Sequence, residues 1–190
     1  MQERAATGNL LFFRAFDSYN GNQIWRSDGT SEGTFRLTDI FNGQQSELVG
    51  LTATNGLAFW RFTYNHELWL FRSDGTVEGT FPLHKIPLGF PDTNSIVDIN
   101  GTIYFPGSGA DGSRQLWKTD GTVAGTVLVK EISPKVSGAT GAFDLFNFNG
   151  VLYFLSGADE NEKKDTGFGK AMVQRQEQYP DRLLEAVSDR

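Results

Sequence analysis

This sequence predicts an all-β chain of β-propeller-like, four-stranded antiparallel blades, about three to four of them, and three observations carry that reading. The eight-residue turn Ser27-Asp28-Gly29-Thr30-Ser31-Glu32-Gly33-Thr34 recurs as Ser73-Asp74-Gly75-Thr76-Val77-Glu78-Gly79-Thr80 and as Thr119-Asp120-Gly121-Thr122-Val123-Ala124-Gly125-Thr126, with 74 − 28 = 120 − 74 = 46 residues between copies. Between the copies an Asn/Gly step precedes an apolar-aromatic run four times, at Gly8-Asn9, Asn55-Gly56, Asn100-Gly101 and Asn149-Gly150. No helical periodicity competes with these signals before residue 160.

Each element follows from local chemistry. Asn-Gly between apolar runs favours a tight hairpin, because a type I′ turn needs positive φ at both central residues. The second unit divides into strands at about Glu47 to Thr54, Leu57 to Thr63, Glu67 to Arg72 and Thr80 to Ile86. Four short strands per 46 residues is the signature of a propeller blade. Aligned on their Asp, the units place Trp25, Phe71 and Trp117 in one column, Phe35, Phe81 and Val127 in another, and Leu37, Leu83 and Val129 in a third. Ile40, Ile86 and Ile132 fill a fourth. The alternation gives an apolar inner face, with the aromatics packed between blades. Thr38, His84 and Lys130 fall between the apolar columns and read as exposed.

The recurring turn is a structural device first. Its Asp (Asp28, Asp74, Asp120) supplies an acceptor for backbone N–H groups, its Gly (Gly29, Gly75, Gly121) tolerates positive φ, and its Thr (Thr30, Thr76, Thr122) helps to close the loop. No cofactor is implied. Calcium would use the three Asp, but one carboxylate per turn falls short of the several converging oxygens that ion needs.

The lines Gln23-Ile24-Trp25-Arg26-Ser27-Asp28-Gly29-Thr30, Leu70-Phe71-Arg72-Ser73-Asp74-Gly75-Thr76 and Gln115-Leu116-Trp117-Lys118-Thr119-Asp120-Gly121-Thr122 resemble the ELWxxDGT repeat family of bacterial proteins. The family's AGTxLVKDI continuation is followed closely by Val123 to Ile132. The resemblance spans roughly residues 8 to 159. It departs where Gln23 and Gln115 replace the leading Glu, and where Glu67-Leu68-Trp69 is displaced by two residues, leaving Phe71 in the Trp column. It implies a β-propeller-like fold and an extracellular or cell-surface setting, with ligands the family itself leaves poorly defined.

Residues 1–159 therefore form the repeat region and 160–190 a polar tail. A fourth unit opens correctly over 140–159 and then loses the pattern. The tail has helical propensity at Gln174 to Gln178 and Arg182 to Val187, with Pro180-Asp181 as a helix start, and is otherwise read as disordered. A frameshifted or truncated product, an end set by cloning and a capping helix all fit. Propellers close with four to eight blades, so the array calls for a homo-oligomer, for strand exchange joining Thr7–Phe16 to Ala142–Leu155 in one composite blade, or for a cap.

Composition excludes several functions. Seventeen Lys and Arg against 23 Asp and Glu give a net charge of −6, the wrong sign for nucleic acid. There is no cysteine and no apolar run of membrane-spanning length, and the first eight residues contain no export leader. Only His66 and His84 are available for acid-base work, and no catalytic constellation surrounds them. A binding role has more to build on: Arg26, Arg72 and Lys118 form a basic column beside the aromatic one, and Tyr19, Tyr64 and His66 lie in loops with amides of the kind that meet sugars. The same cations equally fit a solvated outer strand paired with Glu32 and Glu78. The expected function is a non-catalytic binding or scaffold module for a glycan or a protein surface; a carbohydrate-acting propeller hydrolase and a truncated remnant without function are the alternatives.

Overall fold

Hairpin chemistry dictates the architecture. The computed structural model describes residues 4–18, 21–39, 48–64, 67–86, 96–110, 114–130, 143–156 and 170–175. Among these residues fifteen strands form four antiparallel sheets, and within each sheet the strands lie in chain order. The first sheet holds β1 (Arg4–Thr7), β2 (Leu10–Asp17), β3 (Gly21–Ser27) and β4 (Phe35–Arg36). The second holds β5 (Leu48–Thr54), β6 (Leu57–Tyr64), β7 (Glu67–Ser73) and β8 (Phe81–Ile86), within a residue of the expected bounds. The third holds β9 (Val97–Ile99), β10 (Thr102–Ser108), β11 (Arg114–Thr119) and β12 (Val127–Lys130), and the fourth β13 (Phe143–Phe148), β14 (Val151–Ser156) and β15 (Lys170–Arg175).

The tight turns are those expected. Asn55, Asn100 and Asn149 have φ of 50°, 51° and 54°, and the Gly after each is also positive, the sign pattern of a type I′ turn. At the first hairpin the order is reversed, and Gly8 alone takes positive φ, as in a type II′ turn.

The chain divides into two compact units, one comprising Met1–Leu88 with Gly121–Val123, the other Gly89–Asp120 with Ala124–Arg190. In the first, Ala5, Phe12 and Ile24 of sheet one pack with Ala58, Trp60, Phe62 and Phe71 of sheet two. Trp60 stacks on Phe71 at 5.8 Å, and Phe62 meets the same ring edge-on. In the second, Ile99, Tyr104 and Leu116 of sheet three pack with Leu145, Leu152 and Phe154 of sheet four. Burial of large rings between sheets is the dominant favourable term here.

Several expectations change. Sheet one needs no borrowed strand: Arg4 to Thr7 folds back onto Phe13 to Leu10, and among the described residues β2 and β13–β14 belong to separate sheets, so these strands of Thr7–Phe16 and Ala142–Leu155 do not pair in a composite blade. A two-residue hairpin closes a far shorter loop than pairing the chain's ends. In the tail, Lys170–Arg175 pairs along β14, so Gln174 and Arg175 are strand where local propensity reads helix. The open edge of β14 offers unpaired backbone groups, and their satisfaction overrides helical propensity. The rest of 160–190, like Ile40 and Ile132, lies outside the described residues.

The column of Thr38 and His84 is not exposed either. Thr38 is 4% exposed and His84 half-buried, because a bulge at Leu37, Leu83 and Val129 shifts the outer strand's register. At the first of these, Leu37 N–H and Thr38 N–H both donate to the Ile24 carbonyl, two residues opposing one.

Candidate functional site

The recurring turns and the basic column that precedes them form one structure. In the first turn Asp28 Oδ1 accepts from Thr30 N–H at 3.0 Å and from Thr30 Oγ1 at 2.7 Å, Thr30 Oγ1 accepts from Gly33 N–H at 2.9 Å, and Ser27 Oγ accepts from Gly29 N–H at 3.0 Å. Ser27 and Thr34 hydroxyls meet at 2.7 Å across the loop's base. The second turn reproduces this arrangement with Asp74, Thr76, Gly79, Gly75, Ser73 and Thr80. In the third, the Thr119 and Thr126 hydroxyls again meet. In the sequence the turn's second Gly-Thr reads as closing the loop; the structure adds a steric reason for the Gly, since a Cβ at Gly33, Gly79 or Gly125 would fall on the carboxylate of the same turn's Asp. Only a residue without a side chain lets the Asp curl inward.

Electrostatics follow from these contacts. The Thr30 hydroxyl, its N–H and the Arg26 guanidinium hold the Asp28 carboxyl below its ordinary value. Burial pushes Asp74 upward, but the Thr76 hydroxyl, the Thr76 N–H and Arg72 together outweigh it, so Asp74 is lowered as well.

Arg26 and Arg72 are engaged inside the protein. Arg26 donates from Nε to the Gly33 carbonyl at 3.1 Å and from Nη1 to the Gly75 carbonyl at 3.3 Å, and pairs with Asp28 at 3.4 Å. Its guanidinium lies over the Phe35 ring at 4.6 Å. Arg72 repeats three of these contacts, with the Gly121 carbonyl at 3.3 Å, Asp74 at 3.0 Å and the Phe81 ring at 5.0 Å, but its buried Nε makes no bond among the described residues. The partners are therefore the turn Asp residues, not Glu32 and Glu78. Each Arg ties its own turn to the turn one repeat later, and the side chains are only 18% and 13% exposed. Lys118 is exposed and makes no hydrogen bond or ion pair among the described residues. Its repeat also replaces the stacking Phe by Val127.

The loop residues come together less clearly. Tyr19 and His66 lie outside the described residues, and of Tyr64 only its place at the end of β6 is described. Asp28, Asp74 and Asp120 each serve their own turn rather than converging on one point, and among the described residues no three His, Cys, Asp or Glu side chains are grouped to hold a metal ion. No helix among the described residues is long and apolar enough to cross a membrane.

No family model and no curated protein matches the chain. Solved structures do. Puromycin hydrolase matches at 15% identity with a TM-score of 0.53, covering 87% of this chain and 25% of that one, and its S511A mutant complexed with PGG matches equally, covering 88% of this chain. A chain of a nidogen/laminin complex matches at 14% identity with a TM-score of 0.47, covering 90% of this chain and 58% of that one. The chain thus spans a quarter to somewhat over half of the structures it matches. At these identities the likeness is one of fold: an all-β, propeller-like arrangement of short antiparallel sheets.

Proposed function

We propose that the chain is a non-catalytic binding or scaffold module of β-propeller type, of the ELWxxDGT kind, whose ligand is a glycan or a protein surface outside the cytoplasm. One observation carries this reading: the recurring polar residues of the first two units are consumed in building the array, since Arg26 and Arg72 bond the Gly75 and Gly121 carbonyls and Asp28 and Asp74 each hold their own turn. Recognition then falls to what does not recur, the loops of Tyr19, Tyr64 and His66, with exposed Lys118 as a further cation. Aromatic rings beside amides and an imidazole suit stacking on, and hydrogen bonding to, sugars or peptide groups.

The labelled chain, screened against a glycan array and an extracellular-protein array, is expected to bind a small subset of features. Tyr19→Ala and His66→Ala are expected to weaken that binding about tenfold each without altering the β-sheet circular dichroism spectrum. Absence of binding, together with turnover of glycosides by the purified chain, would overturn the proposal in favour of a hydrolase.

A further inference from the structure

We propose that a groove beside the outer strands of sheets one and two receives an apolar side chain of a partner protein, with a neighbouring Lys or Arg of that partner on the Asp39 carboxylate. This rests on the binding-module reading above and names the partner as protein rather than glycan. The groove has a volume of about 310 Å³, at the small end of the range for ligand pockets, and both its walls belong to the first unit. One wall is the chain just after β4. There the bulge turns Leu37 and Thr38 inward, each 4% exposed, and leaves Asp39 at the rim with its side chain 72% exposed. The other wall is turn two and the start of β8, where Val77 is 55% exposed and Pro82 is exposed. Buried Phe71 completes the apolar lining.

Neither Val77 nor Asp39 is demanded by the fold. Turn one closes in the same way with Ser31 at the position of Val77, so the turn itself needs no apolar residue there. Asp39 Oδ1 pairs with Arg36 at 3.2 Å, an exposed pair of the kind that contributes little stability, and Asp39 Oδ2 has no partner among the described residues. The hydroxyls of the lining are already engaged. Thr38 Oγ1 accepts from Ile24 N–H and donates to Gln23 Oε1, while Thr80 Oγ1 donates to the Thr76 carbonyl and meets the Ser73 hydroxyl. What remains for a ligand is an apolar surface and one anion. A sugar would bury hydroxyls unpaired against Leu37, Val77 and Pro82, at a cost for each. An aliphatic or aromatic side chain buries there without that cost, and a guanidinium or ammonium next to it meets Asp39. Exposed Glu78, which follows Val77 in the turn, and the net charge of −6 favour the same cationic partner.

The probes are the capped tripeptides Lys-Phe-Lys, Glu-Phe-Glu and Lys-Ser-Lys, and maltotriose, each titrated into the isotope-labelled full chain and followed by amide chemical shifts. Lys-Phe-Lys is expected to shift the amides of residues 37–39 and 77–81 with a dissociation constant of about 1 mM. The other three are expected to bind there at least about tenfold more weakly. Val77→Ser and Asp39→Asn are each expected to weaken Lys-Phe-Lys at least about fivefold with an unchanged circular dichroism spectrum. If Val77→Ser fails to fold, Val77→Thr, which keeps the shape of the side chain, serves in its place. No shift at these residues up to about 10 mM Lys-Phe-Lys, equal binding of Glu-Phe-Glu or maltotriose, or indifference to both substitutions would each overturn the groove's assignment. A groove that stays silent in a chain that still binds glycan or protein arrays removes the groove and leaves the binding-module reading standing. Glycoside turnover by a chain whose groove still takes Lys-Phe-Lys removes that reading and leaves the groove.

Discussion

At the scale of the residue, the repeated turn explains itself from the inside. Asp74 is bonded to Thr76 and paired with Arg72, and its carboxyl is lowered in the folded chain. A lowered folded pKa contributes stability that is complete above the unfolded value, near 3.8, and is lost as pH falls through the folded one. Thermal unfolding measured from pH 6 to pH 2 is therefore expected to fall below about pH 4 in part through these turns, and Asp74→Asn is expected to cost about 1 kcal/mol at pH 7 and to flatten part of that fall. Gly79→Ala is expected to cost about 1–3 kcal/mol by urea unfolding, because its methyl displaces the Asp74 carboxylate from Thr76. The motif's Asp, first Gly and Thr were legible in the sequence as turn chemistry, and the pairing of Arg with Phe35 and Phe81, but of Lys118 with Val127, is visible in the aligned columns. The destination of each Arg was not legible. It is a backbone carbonyl one repeat away, and a carbonyl leaves no mark of its own in residue identity.

At the scale of the element, strands and hairpins could be read almost to the residue, because Asn-Gly fixes a two-residue loop and thereby the register of both strands. The outer strand of each blade was harder. Apolar residues at 83 and 86 are three apart, an odd spacing that breaks period two, and the bulge at Leu83 is what lets both be buried. Thr38, placed outside by strict alternation, instead accepts from Ile24 N–H at 2.9 Å and donates to Gln23 Oε1 at 2.6 Å in the interior. Thr38→Val is expected to cost about 1–3 kcal/mol by removing both bonds and leaving the buried Ile24 N–H without its Thr38 acceptor, measured by denaturant unfolding. The strand at Lys170–Arg175 escaped the sequence for a different reason: its partner, the edge of β14, is a tertiary fact. The aromatic column also differentiates. Phe71 is buried and Trp117 half-buried, so Phe71→Ala is expected to cost about 3–5 kcal/mol and Trp117→Ala less, in the same assay.

At the scale of the whole molecule, the constant 46-residue spacing led to the expectation of a blade array, and the chain builds all-β, propeller-like sheets in two compact units, each with its own core of paired sheets. In such arrays stability is the sum of blade terms and neighbour terms, and the arginine bonds between successive turns are neighbour terms with an identifiable atom at each end. What the ligand is was not legible, since the loops that would contact it do not recur and no motif in them names a chemistry. The most direct test of the claim that the recurring residues serve the array is hydrogen–deuterium exchange of Arg26→Ala against the parent chain. Faster exchange is predicted at the amides of residues 74–80, in the following repeat, as well as at 27–34, because the lost guanidinium held the Gly75 carbonyl. Faster exchange confined to residues 27–34 would contradict it, leaving Arg26 as a local side chain with no part in joining one blade to the next.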